Sequence, residues 1–278
     1  MVYKSEAPEQ LQIIADSLRL DVVRMVHHAG DGHPGPALSC ADIIAYLYFN
    51  EMNIRPEEPR WEERDRFILS KGHACTVLYA ALAERGYFPK EELSGLRSLN
   101  SILQGHPTMQ KTPGIDMTSG SLGNGLPIAV GMAIAARSKH KSYHTYVLIG
   151  DGELEEGVVW EAVMCAKRYG LSNLTAIVDN NGWQSGGRLE ECSGILPIKE
   201  KWEAFGWHVQ EIDGHNFDDI AEAFKAAKAE EQAPSVIIAR TVKGKGLDFM
   251  ENDNSWHKRV PSDEQLAIAL EVLGGKKL

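Results

Sequence analysis

YVLIGDGELEEGVVWEAVMCAKRYGLSNLTAIVDNNGW, residues 146–183, holds one strand–helix–strand unit and the two sharpest polar motifs in the chain. YVLIG (146–150) and LTAIVDN (174–180) are short, branched-rich runs with little polar alternation, as expected of strands covered on both faces. Leu154 to Tyr169 between them has helical periodicity, and a third run, PSVIIAR (234–240), follows a helix expected over Phe217 to Glu230. Three such strands with intervening helices predict an α/β fold: an open, mainly parallel sheet with helices on both faces. Ligands of such sheets lie beyond the carboxyl ends of the strands. GDGE follows the first strand, DNNGW the second and TVKGKG the third, so three lengths of chain converge on one crevice.

The chemistry at those ends favours an anion held through a metal. Small residues at Gly150 and Gly152 let backbone N–H groups approach an anion, and a helix opening directly after them adds a favourable field. Asp151 repels phosphate but can hold a divalent cation that bridges to it. Neighbouring strand ends in a parallel sheet lie about 5 Å apart, so the Asn181 amide oxygen can complete the coordination beside Asp151. The Trp183 carbonyl is a plausible third ligand. Hard oxygen donors suit magnesium or calcium, not zinc. GDG followed by NN resembles the thiamine-diphosphate fingerprint. A glycine-flanked aspartate alone is also a common turn, but the matching DNN at the next strand end weighs against that. No GxGxxG follows an expected strand, which counts against a nicotinamide site.

Outward from this unit, apolar spacing predicts a helix from Glu9 to about Ala29, ended by Gly30, and a second from Ser39 to about Phe49. HHAGDGHPGPALS between them has too much Gly and Pro for regular structure. RDRFILS (64–70) reads as a short strand or its approach, Cys75 to Arg85 as a helix, and Leu126 to Lys139 as another. Weak helical character near Glu91 gives way to QGHPTMQKTPGIDMTSGSLGNG (104–125), a long loop of the kind that carries function. His33, His73, His106 and His257 sit in Gly, Pro or loop contexts; the other six histidines read as surface or structural.

Composition narrows the classes. Asp plus Glu exceed Lys plus Arg by 39 to 29, which gives nucleic acid little electrostatic attraction. No apolar stretch approaches the roughly 18 residues of a membrane span, and MVYKSEAPEQ lacks a signal-peptide core, so a cytoplasmic location is expected. Cys40, Cys75, Cys165 and Cys192 have no close pairing, which argues against a zinc site or a disulfide framework. The length suits one α/β domain over 1–278, and no linker divides it convincingly.

Taken together, GHPG (32–35), DRFILSKGHA (65–74), GHP (105–107), TSGSLGNGLPIAVGMAIA (118–135), GDGELEEG (150–157), DNN (179–181) and KGKG (243–246) with His257 resemble the transketolase family. The likeness is to its N-terminal, diphosphate-binding region, and especially to the separately encoded halves found in many microbes. The resemblance implies thiamine diphosphate with Mg2+, for which Ca2+ or Mn2+ could substitute, held at Asp151, Asn181 and Trp183. Gly150, Gly152, Glu153, His73, His257 and the Ser121–Leu122–Gly123 loop would contact the cofactor. His33 and His257 would handle protons on the sugar hydroxyls and the acceptor carbonyl. His73 and His106 would lie near the reactive carbon and the donor's terminal hydroxyl. Imidazole suits these roles because it donates and accepts near neutral pH. Glu156 resembles a buried interface glutamate linked to the opposite active site, whereas a plain first-turn role fits Glu153 or Glu155 better. The chain departs from the family at Asp31, commonly Ser or Thr, and at Asn124, commonly Gln.

The implied reaction is reversible transfer of a two-carbon ketol unit from a ketose, expected to be phosphorylated, to an aldose through a dihydroxyethyl adduct of the cofactor. The family's activating glutamate and phosphate-binding arginines lie in a following pyrimidine-binding domain, which is expected here on a separate C-terminal subunit in an α2β2 assembly. Alternatives are a split enzyme for an unusual ketose, a related deoxyketose synthase or decarboxylating enzyme, or a cofactor-binding regulatory subunit.

Overall fold

The computed structural model describes residues 6–274. Residues 1–5, the first half of the MVYKSEAPEQ stretch, and 275–278 lie outside the described residues. The chain begins with helices α1 (Pro8–Ala29), α2 (Pro34–Ser39) and α3 (Ala41–Tyr46), then strand β1 (Arg66–Leu69) and α4 (Cys75–Glu84). After the long loop come α5 (Gly125–Ser138), β2 (Thr145–Gly150), α6 (Gly157–Arg168) and β3 (Leu174–Asn180). A small hairpin of β4 (Trp183–Gln184) and β5 (Gly187–Arg188) leads to α7 (Leu189–Cys192) and α8 (Ile198–Ala204). Then follow β6 (His208–Asp213), α9 (Phe217–Ala229), β7 (Ser235–Arg240) and α10 (Asp263–Gly274).

The main sheet has five parallel strands in the order β1-β2-β3-β7-β6. Its central strands serve two apolar layers at once. Tyr146, Leu148, Ile177, Ile237 and Ala239 enter the layer built from α1, α3, α4 and α9. Val147, Ile149, Ala176, Val178, Val236 and Ile238 face the layer under α5, α6 and α8. Both pleat faces therefore bury apolar side chains, which is why these strands show no polar alternation. Among the described residues no helix is long and apolar enough to cross a membrane.

The structure corrects four expectations. The sheet has five strands, not three plus an uncertain approach, because HVQEID forms an edge strand whose polar, half-exposed residues lack a buried-strand signal. PGPALS, read as irregular, is α2: Pro34 sits at the helix start, where its missing N–H costs nothing. The expected helix from Ser39 to Phe49 begins at Ala41 after a break at Cys40 and ends in a wider turn over Leu47–Glu51. GDG does not open an α-helix directly. Residues 152–155 make one 3-10 turn, Glu156 is extended, and α6 starts at Gly157.

Candidate active site

Four neighbouring strands end on the same edge of the sheet, and each delivers a charged or amide side chain. Lys71 follows β1, Asp151 follows β2, Asn181 follows β3 and Lys243 lies in the loop after β7. Register fixes the spacing, since Gly150 pairs with Asp179 and Asn180 with Arg240. A cavity of about 250 Å³ opens there, lined among others by His33, His73, Asp151, Asn181, Trp183 and His257.

The floor is a closed network around Asp179, a carboxylate with no exposure. It accepts hydrogen bonds from Ser39 Oγ at 2.6 Å, Lys71 Nζ at 2.6 Å, Thr241 Oγ1 at 2.5 Å and Asn181 Nδ2 at 3.0 Å. Burial disfavours its charge, but Lys71 and these donors hold its pKa below the ordinary value. Lys71 also donates to the Pro36 carbonyl at 2.6 Å. Two charges this deep persist only because each has its partner and further hydrogen bonds.

Asp151 is buried too, and its oxygens accept from Gly152 N at 2.8 Å and Gly182 N at 2.6 Å. Burial, and then the charge of Asp179, push its carboxyl up to about 7. The ammonium of Lys71 is bonded to Asp179 and not to Asp151. A carboxylate held this way, facing a cavity shared with the Asn181 amide, fits a hard divalent cation that would replace its proton. Asn181 Oδ1 accepts from Trp183 N at 3.1 Å, which turns its oxygen toward the hairpin. Among the described residues no three His, Cys, Asp or Glu side chains cluster as a metal site, so a cation here relies on neutral oxygens and the ligand's own.

Glu153 is not a plain first-turn residue. It is 3% exposed and accepts from Gly123 N at 2.7 Å, Gly150 N at 3.0 Å and Ser70 Oγ at 2.5 Å. It thereby ties the SLGNG loop to the tip of β2, and Gly125 N completes the tie by donating to Ser70 Oγ at 3.1 Å. Gly123 has φ +82, and a Cβ there would stand 2.7 Å from Glu156 Cβ, so glycine is required. Leu122 lines the cavity, whereas Ser121 is exposed and outside the lining. Glu156 is exposed on this chain and also outside it.

The histidine rings of His33, His73 and His257 form a triangle with centroids 5.3, 5.6 and 5.3 Å apart. Burial, then the charges of Arg97 and Lys258, lower His33 to about 4. Burial and then Lys243 lower His257 to about 4, and burial and then Lys71 lower His73 strongly. All three are neutral imidazoles at neutral pH, able to accept at one nitrogen and donate at the other. His33 Nδ1 is buried without a hydrogen-bond partner among the described residues. Lys243 Nζ lies 3.1 Å from His257 Nδ1 and 2.6 Å from Asn254 Oδ1, and burial lowers its pKa to about 8. His106 is exposed and outside the lining; its ring covers Gly120, where a Cβ would lie 3.3 Å from it.

Sequence reasoning passed over Lys71, Asp179, Lys243 and Gln184. Lys71 and Lys243 stand inside motifs already quoted, SKGH and KGKG, and a lysine at a strand end beside an anion site was a usable signal. Gln184 packs its Cβ where any side chain at Gly152 would go, 2.7 Å from that Cβ position.

Comparison with known proteins places this geometry in one family. The profile described as "Transketolase, thiamine diphosphate binding domain" matches residues 10–276. The 6-deoxy-6-sulfo-D-fructose transketolase subunit SqwG of Clostridium sp. (strain MSTE9) is 44% identical over 97% of this chain and 98% of its own length. An apulose-4-phosphate transketolase subunit of Phocaeicola vulgatus is 41% identical over 94% of this chain and 93% of its own. Human transketolase is 41% identical over 97% of this chain, which spans only 44% of the human protein. The crystal structure of Campylobacter jejuni transketolase superposes with a TM-score of 0.90 at 33% identity, over 96% of this chain and 43% of that one. Five parallel strands, a thiamine-diphosphate-binding profile across nearly all residues and relatives matched end to end establish that the chain belongs to the transketolase family.

Proposed function

We propose that this chain is the thiamine-diphosphate-binding subunit of a two-chain transketolase, catalysing reversible ketol transfer from a ketose to an aldose. In this reading residues 1–278 are one domain, and the pyrimidine-binding and C-terminal domains reside on a partner subunit in a cytoplasmic α2β2 assembly. The observation that carries it is the sharing of one cavity by Asp151 and Asn181, from adjacent strand tips, with three neutral imidazoles. End-to-end matches to relatives named as transketolase subunits support the division between two chains.

Bound thiamine diphosphate supplies the nucleophilic carbon and the electron sink for carbon–carbon cleavage. The protein's part is to hold, align and move protons. Asp151, Asn181 and the Trp183 carbonyl would hold Mg2+, or Ca2+ or Mn2+ in its place, to neutralise the diphosphate; the Gly150 and Gly152 N–H groups themselves already donate to Glu153 and Asp151. Lys243 adds a positive charge to that end of the cavity. Leu122 and Gly123 would lie against the cofactor ring, and Glu153 fixes their loop. His33 and His257 exchange protons with sugar hydroxyls and the acceptor carbonyl. His73 and His106 bond the donor end, and Glu156, exposed on this chain, faces the partner.

The two relatives named for a sulfofructose and for apulose 4-phosphate favour a second form of the same reading, an enzyme devoted to an uncommon ketose. Mixing the purified chain with a pyrimidine-domain subunit, thiamine diphosphate and Mg2+ should give ketol transfer that neither chain shows alone. Full turnover by this chain alone would refute the division of labour.

A further inference from the structure

We propose that His215 is a positioning residue for the loop after β7: it accepts the Val242 N–H and so holds Lys243, the next residue, at the diphosphate end of the cavity. Its effect on the cofactor rests on the thiamine-diphosphate reading of that cavity.

The hydrogen bonds fix how the ring works. Val242 N lies 2.9 Å from His215 Nε2, and a backbone N–H can only donate, so Nε2 is the accepting nitrogen. The ring proton is then on Nδ1, which lies 2.6 Å from Asp42 Oδ2. Asp42 also takes the guanidinium of Arg19, and both side chains are buried. Burial works against the Asp42 charge, yet Arg19 and the ring hold its pKa below the ordinary value. Arg19 from α1 and Asp42 from α3 therefore orient a ring carried by the turn between β6 and α9. That turn is itself fixed, because His215 N donates to Asp213 Oδ1 at 2.9 Å and Gly214 N to the Arg240 carbonyl at 2.8 Å. A Cβ at Gly214 would stand 2.6 Å from Thr241 Cγ2, so only glycine lets the turn come this close to the loop.

The same three side chains touch the loop at a second point. Gly246, with φ +96, lies against Arg19, where a Cβ would stand 3.1 Å from Cδ. Between the two contacts Lys243 is buried and lines the cavity, its Nζ 2.6 Å from Asn254 Oδ1 and 3.1 Å from His257 Nδ1. His215 is not among the residues lining that cavity, so it acts through the backbone it holds. Without its acceptor the half-buried Val242 N–H loses its partner, and the cofactor must order Lys243 as it binds. Thr241 Oγ1, bonded to Asp179, and Gly244 N, bonded to the Gly35 carbonyl at 3.1 Å, still anchor the loop, so losing His215 loosens it without unfolding it.

Two amides separate the roles of the two ring nitrogens. An Asn amide reaches the place of Nδ1 and leaves Val242 unpaired, whereas a Gln amide oxygen reaches the place of Nε2. Wild type, His215→Asn and His215→Gln are compared by amide hydrogen exchange of the full chain, and by calorimetric titration of the reconstituted two-subunit enzyme with thiamine diphosphate and Mg2+. His215→Asn should speed exchange about tenfold within residues 241–246 only and weaken cofactor binding about tenfold, and His215→Gln should restore most of both. Equal exchange and affinity in all three proteins overturn the proposal. A loss in His215→Gln as large as in His215→Asn also overturns it, since the ring would then serve to fill space or pair with Asp42. Exchange speeded throughout the sheet overturns it too, because His215 would then be a general stabiliser. Wild type that binds no thiamine diphosphate refutes the reading of the cavity instead, while the exchange pattern still decides whether His215 holds the loop.

Discussion

Replacing Asp151 by Asn separates the carboxylate's charge from its shape. With the carboxyl at about 7 in the fold and 3.8 in the open chain, the folded apoprotein retains a proton that the unfolded chain has lost between those values. The stability conferred by that proton is complete below 3.8 and is lost as pH rises through 7. Holding Asp151 in the fold costs about 3 kcal/mol more at pH 8 than at pH 5. Asn can still accept from Gly152 N, but its amide hydrogens face the Gly182 N–H that now donates at 2.6 Å. That lost bond costs about 1–3 kcal/mol at every pH. The stability of Asp151→Asn relative to wild type should therefore rise by about 3 kcal/mol between pH 5 and pH 8, whatever the lost bond is worth. Urea unfolding of both proteins in chelator at the two pH values measures this difference. Adding thiamine diphosphate and Mg2+ should stabilise wild type and leave the variant unmoved. A relative stability constant to within about 1 kcal/mol across that range would refute the claim that Asp151 is an ionisable group awaiting a cation.

Other outcomes follow from the same geometry. Lys71→Met leaves Asp179 buried without its ammonium and should cost about 3–5 kcal/mol, read as a lower melting temperature; an unshifted melt would contradict the buried pair. His257→Ala should lower turnover of the reconstituted enzyme by about 10²–10⁴ and change cofactor affinity far less; a loss confined to affinity would overturn its proton-handling role. His33 and His257 stay neutral in the fold down to about 4, whereas the unfolded chain takes up protons from 6.5 downward. Stability should accordingly fall as pH drops from 6.5 toward 4, and a His33→Asn/His257→Asn double variant should flatten that slope in denaturant titrations. Equal slopes in the two proteins would count against the burial of these rings.

The glycine at 123 illustrates how far motif reading reaches. SLGNG was legible as a loop meant to lie close to something, yet nothing in those five letters names Glu153 as its anchor 30 residues away. Asp31 is a second example. Its departure from the family's usual residue was visible in the sequence, but its ion pairs with Arg97 and Lys258 depend on three separate stretches of chain meeting in the fold.

By itself the sequence determined the central strands, the helices between them and the edge of the sheet to which GDG, DNN and KGKG belong. Those properties arise from neighbours along the chain: side-chain period, branched residues and the backbone freedom of glycine. Only the tertiary structure decided that β7 inserts between β3 and an edge strand formed earlier in the chain, that Lys71 pairs with Asp179, and that three histidines from separate loops form a triangle. Each of these joins residues tens to hundreds of positions apart. Their energies come from burial and charge pairing in a shared interior, which no local stretch of sequence contains.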